Sequence, residues 1–335
     1  MSFVVAVVGA TGVVGREMLN VLAERNFPVR RVLPLASKRS AGSEVAFNGE
    51  KLTVQEATPD RFEGVDVALF SAGGSVSREL APQAAARGAV VIDNSSAWRM
   101  DDEVPLVVPE VNLDAALHRP KGIIANPNCS TIQMVVALKP IHDLSPIEHI
   151  IVSTYQAASG KGHAALEELE RQTADMAAGR EPVAEVFPGP IAGNLLMDWK
   201  PGRDGYSEEE LKLVHETRKI LGAPHIGVSP TCVRVPVATS HSEAVLVRCK
   251  DKLTVEQVRN ALAKAPGVVL QDDGEYVPGA HPQPRAAAGT DPVFVGRIRE
   301  DLALPGAIHL WIVADNLRKG AALNAVQIAE GIFAS

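Results

Sequence analysis

The sequence predicts an α/β protein in two domains. The first is a doubly wound parallel sheet of Rossmann type; the second is a further α/β domain with a mixed, largely antiparallel sheet. Three observations predict it. The chain has 335 residues, more than one compact core usually holds. Its first half alternates short apolar runs with amphipathic ones, the pattern of parallel strands joined by helices. Its second half keeps the apolar runs but separates them by long excursions, which suits strands pairing in both directions.

The elements follow in order. Residues 3–8 (Phe-Val-Val-Ala-Val-Val) read as a buried strand, and a helix over 16–25 carries Met18, Leu19 and Leu22 at helical spacing. Strands are predicted at 29–36 and 65–71, a helix at 78–87, and strands at 89–93 and 122–125. A strand at 148–156 leads into a turn at 158–160 and a long helix at 162–178. Residues 180–206, rich in Pro and Gly, read as an extended connection. Ser207 before three glutamates caps a helix over 208–221. Two β-rich runs fill 227–250, an amphipathic helix 254–265, and strands 293–299 and 308–314. The closing segment is helical in pattern from 316 to 333. The first domain is placed at 1–128, completed by the C-terminal helix 316–335, and the second at 129–315.

Composition narrows the function classes. Hydrophobic residues at 46% and charged residues at 22% are ordinary for a globular protein. A net charge of −7 with no long basic run argues against nucleic acid or an anionic membrane as partner. Cys129, Cys232 and Cys249 are too few and scattered for a disulfide scaffold, and no CxxC pair suggests a metal. The first apolar run lacks the basic flank of a signal peptide, and no run is long enough to span a bilayer. A reducing cytoplasm is the expected compartment.

Between the first strand and first helix lies Gly9-Ala-Thr-Gly-Val-Val-Gly15. Glycines there let the backbone approach a pyrophosphate, and the helix start aims N–H groups at it. GxxGxxG alone is a modest signal; on a strand–turn–helix unit it is a good one. Gly9, Thr11, Gly12, Val13 and Val14 are therefore cofactor candidates. The second strand runs out in Ser37-Lys-Arg-Ser40, with no acid for a ribose 2′-hydroxyl. Two cations and two hydroxyls suit a 2′-phosphate, so NADP is expected, with Ser37, Arg39 and Ser40 around it. A second glycine turn, Ser71-Ala-Gly-Gly74, ends the third strand and places Ser71 and Gly73 on the cofactor's path.

The stretch Ala125-Asn-Pro-Asn-Cys-Ser-Thr131 precedes a helical pattern, so Cys129 sits at or just before a helix N-terminus. Unpaired N–H groups there favour the thiolate, the nucleophilic form. Cys232 and Cys249 lie in β-rich runs and read as inert thiols. A thiolate beside a nicotinamide suggests one reaction type: an aldehyde and an activated acid interconverted through a thioester.

The motifs together are specific. Val8-Gly-Ala-Thr-Gly12, Ser95-Ser-Ala-Trp-Arg99, Asn126-Pro-Asn-Cys129, Tyr155-Gln-Ala-Ala-Ser-Gly160, Cys232-Val-Arg-Val235 with Ser240-His-Ser242, and Asp315-Asn-Leu317 span nearly the whole chain. In them the sequence resembles the bacterial aspartate-β-semialdehyde dehydrogenases. The resemblance implies a second domain like that of glyceraldehyde-3-phosphate dehydrogenase, carrying the substrate groups and the subunit contact. It implies an NADP-dependent oxidoreductase that makes L-aspartate-4-semialdehyde and inorganic phosphate from L-aspartyl-4-phosphate, on the route to lysine, threonine, methionine and diaminopimelate. Cys129 is then the nucleophile, Gln156 the residue that orients the acyl group, and His241 the acid/base. Arg234 would hold the substrate carboxylate, Glu209 would face its amino group, and Arg99, Asn128 and Lys212 would bind phosphate. Ser159, Gly160 and Asn316 are expected on the cofactor side. A homodimer is the expected assembly, with a tetramer open.

Some of this can be weighed from the residues themselves. Glu209 and Lys212 are three apart on one helix face, which by itself reads as an ordinary surface ion pair. Arginine suits a carboxylate because its fork is planar and bidentate. Arg234 and His241 would face opposite ways on one unbroken strand, so Val235-Pro-Val-Ala-Thr239 must bend for both to serve one site. His163, His215 and His225 receive no role. The nearest rival is N-acetyl-γ-glutamyl-phosphate reductase, whose acylated amine would leave Glu209 without a cationic partner. A catalytically silent paralogue is the rival from another class; it would be expected to lose Cys129.

Overall fold

A computed structural model describes residues 2–272 and 274–333; the last two residues of the helix expected at 316–335 lie outside the described residues. The chain forms two compact units, residues 1–128 with 321–335, and residues 129–320.

The first unit contains β1 (Phe3–Val8), α1 (Val13–Glu24), β2 (Val29–Ala36), β3 (Glu44–Phe47), β4 (Glu50–Thr53), β5 (Gln55–Glu56), β6 (Val67–Phe70), α2 (Gly74–Ala85), β7 (Val90–Asp93), α3 (Pro109–Asn112) and β8 (Ile123–Ala125). Six strands pair in parallel in the order β5-β2-β1-β6-β7-β8. The order reverses at β1, and that reversal opens a crevice at the strand's C-terminal end. The core joins Val5 and Val7 of β1 to Met18, Leu19, Val21 and Leu22 of α1 and to Val326 and Ile328 near the C-terminus. An Arg25–Glu330 ion pair at 2.7 Å runs beside this packing.

Both helices begin earlier than the apolar spacing suggested, at Val13 and Gly74, directly after the two glycine turns. α1 opens Val13-Val14-Gly15 and α2 opens Gly74-Ser-Val-Ser77, glycine-bearing stretches that read as part of the turns, so periodicity registers both helices late. The β3–β4 hairpin and the two-residue β5 have no counterpart in the sequence reading. Charged residues fill most of their outward positions, which hides a strand from a hydrophobicity pattern.

The second unit contains α4 (Cys129–Leu144), β9 (Ile147–Gln156), α5 (His163–Ala177), α6 (Glu208–Ile220), β10 (Gly227–Arg234), β11 (His241–Cys249), α7 (Val255–Leu262), β12 (Val268–Gln271), α8 (Pro284–Ala287), β13 (Val293–Glu300) and β14 (Ala307–Ala314). The sheet order is β10-β9-β11-β14-β13-β12. The two outer pairs are parallel and the three inner pairs antiparallel. α4 covers one face, packed on β9, β11, β13 and β14, with α6 and α7 beside it. On the other face Ile151 and Tyr155 of β9 stand exposed, and the Tyr155 and Trp311 rings meet at 5.5 Å.

Residues 180–206 are held more firmly than an extended connection requires. Buried Glu168 on α5 accepts N–H bonds from Glu185, Val186 and Phe187. Gln172 accepts those of Ile191 and Ala192. The helix expected from 316 is corrected by the structure. Asp315 accepts the N–H groups of Leu317 and Arg318, a wide π-turn covers Arg318–Ala322, and α9 (Leu323–Phe333) follows. Asn316 therefore lies in a turn. No helix among the described residues is long and apolar enough to cross a membrane.

Candidate active site

In the first unit the glycine turn leaves β1 at the sheet reversal. Gly9 has φ +87°, and a Cβ there would stand 2.4 Å from the Ser71 carbonyl oxygen. A Cβ on Gly15 would stand 2.1 Å from the Gly9 carbonyl oxygen. Only glycines let α1 close on the turn this tightly. A cavity of about 600 Å³ opens beside it, walled by Gly9, Thr11, Gly12, Ser37, Arg39, Ser40 and Ser71 of the expected set, with Lys38. Val13 and Val14 open α1 and Gly73 caps α2 without joining that wall. Glu56, register partner of Ala36, lines the cavity and was missed because its strand is two residues long.

The same unit holds Arg99 and Asn128, both buried. Arg99 donates to the carbonyls of Asn126 and Asn94 at 3.0 and 2.9 Å. Asn126 is itself fixed, donating to Asn94 Oδ1 and accepting from Asn324. The segment leading to Cys129 is therefore pinned by side chains on both sides.

In the second unit Cys129 is the first residue of the 16-residue α4, where the positive end of the helix dipole favours a thiolate. Its Sγ lies 3.2 Å from Nε2 of fully buried His241. Nδ1 of that ring accepts the Ala157 N–H at 3.0 Å. With the Nδ1 lone pair engaged, the proton of the neutral ring belongs on Nε2, facing sulfur. Burial, with Arg234 nearby, lowers the His241 pKa to about 3, against a smaller opposing pull from Glu209. The ring is neutral at pH 7.

Arg234 and His241 do share one site, and the bend between them is explicit. Arg234 ends β10 on one side of β9, and His241 begins β11 on the other. The chain crosses the end of β9 through a tight turn about Pro236, where the Val237 N–H bonds the Val235 carbonyl. Ala158 and Ser159 donate to Val237 and Ala238. Ser240 takes φ +77°, a strained value for a side-chain-bearing residue. Its N–H bonds Asn316 Oδ1 at 2.8 Å, and Asn316 also bonds Ser159. Within this unit Asn316 and Ser159 thus brace the entry to His241.

Gln156 ends β9 with both ends of its amide held. It donates to Glu209 at 3.0 Å and accepts from Thr154 at 3.1 Å. Glu209 is buried and paired with Lys212 at 2.8 Å, so the pair is no ordinary surface bridge. Arg234 donates to Asp198 at 3.2 Å and to the Ala157 carbonyl at 2.8 Å, with its guanidinium over the Trp199 ring. Lys161 bonds the other oxygen of Asp198. Asp198, Trp199 and Lys161 carried no sequence signal beyond their residue types. Gly160 is packed against this cluster: a Cβ there would meet Arg234 Nη1 at 3.1 Å. Gly320 passes as closely, since its Cβ would be 2.9 Å from Cys129 Cβ. The other thiols are quiet. Burial pushes Cys232 far up, and Cys249 up to about 11.

A dinucleotide turn in one unit and a helix-start cysteine beside a neutral histidine in the other define a class: NAD(P)-linked oxidoreductases working through a cysteine. Comparison with known proteins makes the class particular. Residues 4–118 match the family model "Semialdehyde dehydrogenase, NAD binding domain", and residues 138–319 match "Semialdehyde dehydrogenase, dimerisation domain". The aspartate-semialdehyde dehydrogenase of Bacillus subtilis is 53% identical, over 98% of this chain and 96% of its own. The crystal structure of aspartate semialdehyde dehydrogenase II complexed with ASA from Vibrio cholerae superposes with TM-score 0.96 at 48% identity, covering 100% of this chain and 99% of that one. The Candida albicans enzyme with NADP gives TM-score 0.76 at 26% identity, covering 99% and 98%. The chain belongs to the aspartate-semialdehyde dehydrogenase family and has that family's oxidoreductase activity.

Proposed function

We propose that the chain converts L-aspartyl-4-phosphate and NADPH into L-aspartate-4-semialdehyde and inorganic phosphate through a thioester on Cys129, supplying lysine, threonine, methionine and diaminopimelate synthesis. The observation that carries this reading is Cys129 Sγ at 3.2 Å from His241 Nε2 at the start of α4. Residues 1–128 with the terminal helix hold NADP, and 129–315 hold the substrate groups. Gly9, Thr11 and Gly12 suit the pyrophosphate, and Ser37, Lys38, Arg39 and Ser40 the 2′-phosphate. The bound reduced nicotinamide supplies the hydride that the acyl carbon accepts.

The chain's own residues do the rest. Arg234, with Nε on Asp198 and one Nη1 bond on Ala157, offers its outer N–H groups to the substrate carboxylate. Glu209 faces the amino group, and Lys212, Arg99 and Asn128 serve the phosphate. The Cys129 thiolate attacks the acyl carbon, the carbonyl becomes an oxyanion, and its collapse breaks the carbon–oxygen bond to phosphate, which takes up one proton from water as it departs and leaves the thioester. After reduction the carbon–sulfur bond breaks and sulfur leaves again as thiolate. No step requires His241 to hold two protons. It serves as an Nε2–H donor to the charge on sulfur and on the oxygen beside it, a narrower part than a full acid/base. Histidine→glutamine at 241 keeps an N–H donor, so His241→Gln should retain on the order of tenfold more turnover than His241→Ala. Equal loss in the two would restore the proton-transfer role.

The exposed apolar stripe of Ile151 and Tyr155 with Trp311 supports a homodimer through the second sheet. Three free thiols suit a reducing cytoplasm. The direct assay supplies NADP, phosphate and aspartate semialdehyde and follows formation of NADPH. Turnover of the N-acetylated glutamate homologue in place of the free amine would overturn the substrate assignment.

A further inference from the structure

Behind Cys129 and His241 lies a carboxyl group that the reaction above does not use. Glu243 is 0% exposed, and neither of its oxygens has a hydrogen-bond partner among the described residues. It follows His241 by two positions on β11, so both side chains leave the strand on the same side. Its register neighbours are Thr154 on β9 and Ile312 on β14. α4 packs against β11, and one turn after Cys129 it carries Gln133. Gln133 is equally buried, and both atoms of its amide are also unpartnered. The two side chains approach closely enough for Gln133 to act on the Glu243 carboxyl, yet stop short of full hydrogen-bond geometry.

A carboxylate in this position would carry a charge with only the Gln133 amide, among the described residues, to set against its desolvation. Arg234 and Glu209 act on His241; among the described residues no cation acts on Glu243, the Cys232 thiol that interacts with it is itself kept protonated by burial, and burial holds the Glu243 carboxyl well above the ordinary range. A protonated carboxyl and a primary amide are complementary: acid O–H to amide oxygen, amide N–H to acid oxygen. We propose that Glu243 and Gln133 form an uncharged acid–amide pair that ties the first turns of α4 to β11 and so sets the spacing between Cys129 and His241. Glu243 is a positioning residue here, touching neither substrate nor sulfur. The proposal rests on Cys129 and His241 being the reacting pair.

The test compares the full-length protein with Glu243→Gln, Glu243→Leu and Gln133→Leu. A glutamic acid kept neutral in the fold but free to ionise when unfolded costs stability as pH rises above 4.5, its ordinary value. The Tm of Glu243→Gln relative to wild type should therefore climb as pH rises above 4.5, with no gain at about pH 4. Glu243→Leu and Gln133→Leu should each lower kcat by on the order of tenfold, leave KM for NADPH unchanged and slow alkylation of Cys129. Glutamine at 243 should rescue both readouts. A Tm difference that does not vary with pH, or a Glu243→Gln enzyme as impaired as Glu243→Leu, overturns the pair. Should Glu243→Leu fail to fold, Gln133→Leu and the Tm series carry the test. Turnover surviving in Cys129→Ser would instead sink the reacting pair, while leaving the pH-dependent Tm difference in place.

Discussion

His241 shows how a residue's chemistry is written by its backbone neighbours. Its ring is denied a second proton by burial and by the Ala157 N–H. The sign of the consequence is fixed. The unfolded chain takes up a proton below about 6.5, whereas the folded ring does so only near 3. The stability from a neutral ring is therefore complete above 6.5 and drains away as pH falls toward 3. A Tm-against-pH series should show a shallower acid limb in His241→Gln than in wild type. Cys129→Ala should abolish turnover and leave NADPH binding nearly intact; parallel loss of both would count against the division of roles. Asp198, whose side chain is 1% exposed, orients Arg234. Asp198→Ala should raise KM for the acyl substrate by on the order of tenfold, with KM for NADPH unmoved.

Elements explain which of these residues could be found in advance. The glycine turn was legible because close backbone approach admits one residue type, and glycine at 9 and 15 is a demand of that contact. Gly15→Ala should cost about 1–3 kcal/mol of stability and abolish NADPH binding, read by thermal unfolding and by titration with the dinucleotide. Cys129 was legible because a cysteine amid polar turn residues before a helix is unusual. The bend at Pro236 was required by strand geometry and is present as a tight turn. Asp198 and Trp199 were hidden because they come from a connection with no period, held in place by the buried side chains of Glu168 and Gln172. Taken from helix spacing alone, Glu209 reads as a surface residue for a related reason, and only the family resemblance placed it at the substrate. Its helix spacing is that of an ordinary ion pair, and the partner that buries it, Gln156, is 53 residues away.

At the scale of the whole molecule, charge and surface set the expectations. A net −7 leaves Lys38 and Arg39 as a local basic feature on an acidic protein. Arg39→Ala should weaken NADPH binding far more than NADH binding, measured by fluorescence titration; equal weakening would remove the 2′-phosphate reading. Charging the outer sheet face with Ile151→Arg and Tyr155→Arg should convert a dimer to monomers in sedimentation, without unfolding the chain. One further property follows from Ala157. A single residue grips the imidazole through its N–H and the guanidinium through its C=O. The proposed carboxylate anchor and the imidazole beside Cys129 are thereby held by the two sides of one residue, as by the fixed jaws of a calliper. Under the proposed substrate assignment, a homologue longer by one methylene should turn over far more slowly than aspartate semialdehyde in the same assay, and equal turnover would remove this gauge.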